Sequence, residues 1–327
     1  MSKIQNIGVL TSGGDAPGMN AAIRAVVRGS LYYKLKVTGV LRGYEGLINA
    51  DFFPMDGKSV ANIIQRGGTI LKTARCDEFR TPEGRAKAYK NLVDSSIDAL
   101  VVIGGDGTFT GADIFSQEYD FPIIGLPGTI DNDLEGTDLT IGYDTAINTV
   151  VNAVDKIRDT AESHDRLFIV VVMGRDSGLI ALRSGIGVGA EAILIPEAKM
   201  TTADLVDRVE HGRKDKASKI IVVAEGDEAG GAYNVGEVLK EKFPHHDIRV
   251  SVLGHIQRGG SPSCADRVLA SRLGVAAVEG LLAGKSKMMV GQVNKEILFT
   301  PFSKAIKHID AAQITPAWLH LAEILSL

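Results

Sequence analysis

Short runs that are apolar at nearly every residue alternate along this chain with longer stretches whose apolar positions recur every three or four residues. The unbroken runs predict strands at Asn6–Leu10, Lys36–Leu41, Ala99–Ile103, Pro122–Gly125, Leu167–Met173, Ala192–Ile195, Lys219–Ala224 and Arg249–Leu253. The longer periodic stretches predict helices, among them Met19–Tyr33, Asp144–Ala161, Asp204–Gly212 and Ala265–Leu282. Strands without a polar face are covered on both sides, so their alternation with helices predicts parallel sheets in an α/β fold. The βα pattern doubles along the chain. It predicts one domain from residues 1–140 plus 253–305 and a second from 141–252, with the segment 306–327 packed on the second. Ligands of such folds sit beyond the carboxyl ends of the strands. The glycine-rich and charged residues follow that rule, at Thr11–Gly18, Gly104–Thr108, Gly128–Asp133, Met173–Gly178, Glu225–Gly226 and His255–Gly260.

Composition narrows the function classes. With 327 residues, 45% of them hydrophobic, the chain can bury two sizeable cores. Its 36 basic and 40 acidic residues, a net charge of −4, include no extended basic stretch, which argues against a nucleic-acid partner. The longest apolar runs are strand-sized and too short to span a membrane, and Met1–Asn6 lacks the apolar core of a signal peptide. Two cysteines, Cys76 and Cys264, make neither a disulfide framework nor a metal site. The plain expectation is a soluble, cytoplasmic protein.

Three turns carry candidate chemistry. In Thr11-Ser-Gly-Gly-Asp-Ala-Pro-Gly18, glycines between a strand and a helix let the backbone approach a phosphate, and the helix start offers free N–H donors. The same turn could also be a tight βα connection without a ligand. In Gly104-Gly-Asp-Gly-Thr108, Asp106 suits Mg²⁺, with Gly105, Gly107 and the Thr108 hydroxyl along a triphosphate; Asp106 suits a helix N-cap as well. In Gly128-Thr-Ile-Asp-Asn-Asp133, two carboxylates flank an amide. One can take a proton from an acceptor hydroxyl while the other faces a metal or water, and an Asx-rich turn is the competing reading. Arg75, Arg166, Arg175, Arg249, Arg258 and His255 each lie beside a strand end or a glycine, where bidentate guanidinium suits phosphoryl oxygens, although a solvated surface charge accounts for any one of them.

In order, LTSGGDAPGMNAAIR, RGGTILKTARC, VVIGGDGT, GLPGTIDNDLEGTD, GAEAILIPE, VLGHIQRGGSP and DRVLASRLG make the chain from Ile7 to about Leu282 resemble the bacterial ATP-dependent 6-phosphofructokinases. The resemblance implies two doubly wound, mainly parallel-sheet domains with the active site in the cleft between them. It implies ATP as co-substrate, Mg²⁺ as cofactor, fructose 6-phosphate as acceptor and a homotetramer. Asp131, with Thr129 beside it, would be the base, Asp106 the Mg²⁺ ligand, and Asp133 a further carboxylate of the metal region. Gly14, Tyr44, Arg75, Cys76, Gly105, Gly107, Thr108 and Gly111 match the ATP site, with Arg75 reaching the transferring phosphates. Met173, Gly174, Arg175, Glu225, His255 and Arg258 match the sugar-phosphate site, and Arg166 and Arg249 match residues reaching it from a neighbouring subunit. Arg24, Arg28, Arg158, Gly189, Glu191, Lys214 and Lys216 match an effector site for ADP or phosphoenolpyruvate.

The chain departs from the family pattern at Asp176-Ser-Gly-Leu179, at Asp227–Gly231 and at Asp215. Asp215 sets a carboxylate between two of the presumed effector lysines, which would weaken binding of an anionic effector. Pyrophosphate-dependent relatives of the family place aspartate where Gly107 stands and lysine where Gly128 stands, so the two glycines favour ATP. An NAD or lipid kinase shares the GGDGT turn but leaves TIDND and HIQRGG unexplained. Intact Asp106, Asp131 and Arg75 count against an inactive regulatory subunit.

Overall fold

A computed structural model describes residues 4–163, 166–198, 200–211, 219–226, 231–306 and 314–326. In chain order its elements begin β1 (Asn6–Thr11), α1 (Met19–Tyr32), β2 (Lys36–Val40), α2 (Tyr44–Asn49), β3 (Phe52–Met55), α3 (Pro82–Asp94), β4 (Ala99–Gly104), α4 (Asp106–Tyr119), β5 (Ile123–Pro127) and α5 (Tyr143–Glu162). They continue with β6 (Arg166–Val172), α6 (Leu179–Gly187), β7 (Ala192–Leu194), α7 (Thr202–His211), β8 (Lys219–Ala224), α8 (Gly231–Lys242), β9 (Asp247–Val252), α9 (Cys264–Leu282), β10 (Met288–Val293), β11 (Glu296–Pro301), α10 (Phe302–Ala305) and α11 (Pro316–Ser326). Each strand expected from the sequence is present. No helix among the described residues is long and apolar enough to cross a membrane.

The chain divides into two compact units, Met1–Thr145 with Arg258–His308, and Ala146–Gln257 with Ile309–Leu327. The first holds a sheet in the order β11-β10-β5-β4-β1-β2-β3. Every residue of β1, β4 and β5 is buried, which is why these strands read as continuous apolar runs. They are parallel, and the pairs Thr11↔Ile103 and Gly104↔Pro127 bring their carboxyl ends level. The loops that follow therefore leave from one edge. The two flanks depart from the parallel pattern. β3 pairs antiparallel with β2, and β11 antiparallel with β10. Pro54 in β3 lacks a backbone donor, and the outermost position tolerates that.

The second unit holds the parallel sheet β7-β8-β6-β9, its core formed by Leu167, Ile169, Leu194, Ile221, Val223, Leu239 and Ile248. The C-terminal helix α11 belongs to this unit and contacts α6, with the Arg183 guanidinium 3.7 Å from the Trp318 ring centroid.

An ion pair between the buried Arg85 and the exposed Glu118 braces the first unit. Arg85 on α3 gives Nε and Nη2 to the Glu118 carboxylate on α4 at 2.6 and 2.7 Å, and its Nη1 reaches the carbonyls of Phe79 and Arg80. That guanidinium holds the Glu118 carboxyl below the usual carboxylate range. Arg85→Met leaves the carbonyls without their donor and Glu118 without its partner. It is expected to destabilise the unit by about 1–2 kcal/mol, chiefly from the unsatisfied carbonyls, read as a lower midpoint in thermal denaturation; an unchanged midpoint would show the pair to be dispensable.

Candidate active site

Three turns follow β1, β4 and β5, and because these strands are neighbours, the turns meet. Ser12 donates its N–H to the Ile103 carbonyl at 3.0 Å, joining the first turn to the end of β4. Gly128 donates to the Gly104 carbonyl at 3.0 Å, joining the third turn to the second. A Cβ on Gly105 would lie 3.6 Å from the Thr129 Cβ, so the second turn runs beside the residue that precedes the Ile130-Asp131 pair. Gly105 is the N-cap of α4 and Asp106 its first residue, which leaves the carboxylate of Asp106 outside the cap position. The Thr108 hydroxyl is buried with no hydrogen-bond partner among the described residues. It lies 3.4 Å from where a Cβ on Gly13 would be, hence between the first turn and the start of α4. A donor held there beside free helix N–H groups makes a phosphate cradle.

Asp131 is 8% exposed and Thr129 7%. The Thr129 hydroxyl lies 3.3 Å from Asp131 Oδ2 and accepts the Asp131 N–H at 3.2 Å. Thr140 fixes the loop from behind: its hydroxyl donates to the Thr129 carbonyl, and its N–H donates to Asn132 Oδ1, both at 2.6 Å. Asn132 in turn gives Nδ2 to the Asp138 carbonyl and sits in the left-handed region at φ 54°. The carboxylate is thus held by its own loop, while Asp106 and Asp133 are half-buried at the head of α4 and two residues past Asp131.

Tyr44 is buried, stacked on Phe79 with ring centroids 4.0 Å apart, and donates its hydroxyl to the Thr108 carbonyl. Burial pushes its phenol pKa up. A Cβ on Gly111 would come within 3.0 Å of the Tyr44 ring, so this pair shapes the first two turns of α4. Cys76 is half-buried on the same core, where burial pushes its thiol up, and Arg75 beside it is exposed. Their loop is tied down by Asn20 and Thr11, side chains that flank the first turn. Asn20 gives Nδ2 to the carbonyls of Arg66 and Gly67 and accepts the Ile70 N–H; Thr11 bonds the Thr69 hydroxyl and the Lys72 carbonyl at 2.9 Å each. Arg258 packs on the first turn: its Nη1 would lie 2.6 Å from a Cβ on Gly14, and it donates to the Asp15 carbonyl at 3.3 Å.

A buried carboxylate also escaped notice. Asp266, 2% exposed, accepts the N–H groups of Gly142 and Thr145 at 2.8 Å each, and with them the Thr145 hydroxyl. It joins the starts of α5 and α9, and burial pushes its pKa up. Its motif was visible in the sequence, but its partners lie more than a hundred residues away.

In the second unit, a separate group gathers after β6, β8 and β9. Met173 donates its N–H to Gln257 Oε1 at 3.3 Å, and Gln257 is fully buried. Gly174 has φ 145°, and Arg175, at φ 56°, donates its N–H to Glu225 Oε1 at 2.9 Å. A Cβ on Gly174 would meet the Ser177 carbonyl at 2.4 Å, so this turn requires glycine. The side chains of Arg175, Glu225 and His255 are exposed. Arg166 and Arg249 stand at the opposite, amino-terminal ends of β6 and β9.

Of the effector residues, Arg158 donates to the Val188 carbonyl, next to Gly189 at φ 61°. The buried Glu191 exchanges hydrogen bonds with the backbone of Ile220, its N–H to the carbonyl at 2.9 Å and its Oε2 from the N–H at 2.6 Å. Arg24 and Arg28 lie on α1, half-buried and exposed. Lys214, Asp215 and Lys216, and the departure at 227–230, lie outside the described residues.

Comparison with known proteins places these features in context. The Phosphofructokinase family model matches residues 6–281. ATP-dependent 6-phosphofructokinase 2 of Bacteroides thetaiotaomicron is 57% identical over 309 residues, covering 94% of this chain and 95% of that protein. ATP-dependent 6-phosphofructokinase 1 of Thermus thermophilus is 53% identical over 325 residues, covering 99% of this chain and all of the other. Among solved structures, phosphofructokinase from Saccharomyces cerevisiae superposes with a TM-score of 0.90 at 37% identity, over 98% of this chain and 48% of that one.

Proposed function

The chain belongs to the phosphofructokinase family, and from that premise we propose that it is an ATP-dependent 6-phosphofructokinase, moving the γ-phosphoryl of ATP to the 1-hydroxyl of fructose 6-phosphate. The observation that carries the reading is the meeting of the three turns: a phosphate cradle at the head of α4 lies beside a loop that holds one nearly buried carboxylate. A base next to a bound phosphoryl donor is what transfer to a hydroxyl requires.

The phosphates of ATP lie against the first turn and the start of α4, with the Thr108 hydroxyl as a donor. Asp131 accepts the proton of the sugar hydroxyl as the hydroxyl oxygen attacks the γ-phosphorus, the bond from that phosphorus to the β,γ-bridging oxygen breaks so that ADP leaves with the electron pair, and Thr129 holds the carboxylate in place. Arg75 and Arg175 offset the charge that spreads over the transferring oxygens. Mg²⁺ in phosphotransfer sites takes one or two carboxylates and completes its shell with phosphate oxygens and water; Asp106 and Asp133 fit that donor set and would hold it. Bound there, the ion would neutralise part of the charge on the phosphates. The first unit is the nucleotide-binding domain in this reading, and the second contributes Met173, Gly174, Arg175 and Glu225 to the sugar phosphate. His255 and Arg258 complete that set. An effector phosphate engages Arg24, Arg28, Arg158, Lys214 and Lys216, a set that also includes Gly189 and Glu191, and Asp215 makes the response weak.

Purified protein given fructose 6-phosphate and either ATP or pyrophosphate decides the donor: turnover with ATP is expected, and turnover with pyrophosphate alone would overturn the reading. The working assembly is a homotetramer in which Arg166 and Arg249 serve a neighbour's sugar-phosphate site. Chains carrying Arg166→Ala with Arg249→Ala, mixed and reassembled with equal amounts of Asp131→Ala chains, are expected to regain activity. In a random mixture about a quarter of the sites receive one intact half from each chain. No regain after verified subunit exchange would show that each chain completes its own site.

A further inference from the structure

Parallel pairing of β6 with β9 sets Arg166 opposite Asp247 and Phe168 opposite Arg249. Asp247 and Arg249 are two apart on β9, so both project from the same side of the strand. The two guanidiniums thereby converge on one carboxylate. Arg166 gives Nε to Asp247 Oδ2 at 2.8 Å, while Arg249 gives Nη2 to Oδ2 at 3.2 Å and forms an ion pair with its Nε 2.9 Å from Oδ1. We propose that Asp247 is a positioning residue that presets Arg166 and Arg249 as a two-pronged clamp for the phosphate of the acceptor sugar.

The donor count supports this. Asp247 occupies the inner edge of each guanidinium and leaves both terminal amino groups of Arg166 and Nη1 of Arg249 to point elsewhere. A phosphate can take those donors while the carboxylate keeps its own. Without Asp247 two like charges would stand close together with nothing between them, and each long side chain would spread over its rotamers. With it, the cluster keeps one net positive charge at a fixed spacing. Arg166 is the better shielded arm, its side chain 24% exposed against 59% for Arg249. Asp247 is therefore engaged from both sides, and the two guanidiniums hold its carboxyl below the usual carboxylate range. The clamp survives as a unit wherever that carboxylate stays ionised.

The inference rests on the assignment of Arg166 and Arg249 to the sugar phosphate, and one set of variants separates the two. Steady-state kinetics of the intact enzyme with varied fructose 6-phosphate are measured for Asp247→Asn, Asp247→Glu, Arg166→Ala and Arg249→Ala. Asp247→Asn is expected to raise KM for the sugar about tenfold with kcat and the KM for ATP held, and Asp247→Glu to recover most of the loss. Adding Asp247→Asn to Arg249→Ala is expected to cost far less than it does alone, since one prong is already gone. A lower KM in Asp247→Asn would mean that the carboxylate competes with phosphate, and an unchanged KM would mean that it positions nothing. Either outcome overturns the proposal while leaving the arginine assignment intact. If neither Arg166→Ala nor Arg249→Ala moves the KM, the assignment itself fails and the clamp with it.

Discussion

Replacing Asp131 by alanine is expected to lower kcat roughly 10²–10⁴-fold, the range for loss of a general base, with fructose 6-phosphate binding nearly unchanged. The carboxylate is 8% exposed, and its place depends on its own loop: Thr129 bonds it, Thr140 bonds Thr129, and Asn132 bonds Thr140. Removing the side chain therefore takes away a proton acceptor without dismantling the loop. Asp131→Asn makes the cleaner comparison, since it keeps the shape and loses the basicity. Coupled turnover across pH gives kcat, and calorimetry gives sugar binding. A variant with near-normal kcat at every pH would remove Asp131 from its role and leave the proton acceptor to another group.

Gly107→Asp is expected to reduce kcat/KM for ATP about 100-fold, because a carboxylate set against a bound polyphosphate costs several kcal/mol in like-charge repulsion. Among the described residues nothing lies within 4 Å of a Cβ at Gly107, and the residue is exposed, so the new side chain enters without strain. Thermal stability should be unaltered, which separates a charge effect from a folding defect. Gly128 behaves differently. A Cβ there would lie 2.9 Å from Ile103 Cγ2 and 3.1 Å from Met19 Cε, inside packed apolar surface. Gly128→Lys is thus expected to cost about 1–3 kcal/mol from overpacking, and the double change is a poor isolated test of donor choice. A Gly107→Asp protein that turns over ATP as before would show that this position does not face the nucleotide.

The central strands were legible because burial on both faces leaves no polar position to interrupt the run, as in β1 and β4. The flanks were not. β3 is four residues with a proline, and the β10–β11 hairpin turns at Asn294 and Lys295, both at positive φ, a conformation that Asn favours but Lys does not advertise. The chemical turns could be read because each keeps its residues within a few positions of one another. The residues that hold the turns in place could not. Asn20, Asp266 and Gln257 act on partners 46 to 124 residues away, and nothing local distinguishes a buried carboxylate from a solvated one.

The position of β10 has a consequence for synthesis of the chain. β5 pairs with β10 on one side, yet about 160 residues separate the end of the one from the start of the other. At translation rates of about 5–20 residues per second, that interval lasts roughly 8–30 s. Through it the nascent chain carries β5 as an open edge, an apolar strand with a row of unpaired backbone groups that could template pairing with another nascent chain. The second sheet lacks this wait, since β6 to β9 run from Arg166 to Val252 without interruption. Its strands can therefore pair while the chain is still on the ribosome, and the sheet whose first strand is translated earliest is the later of the two to be completed.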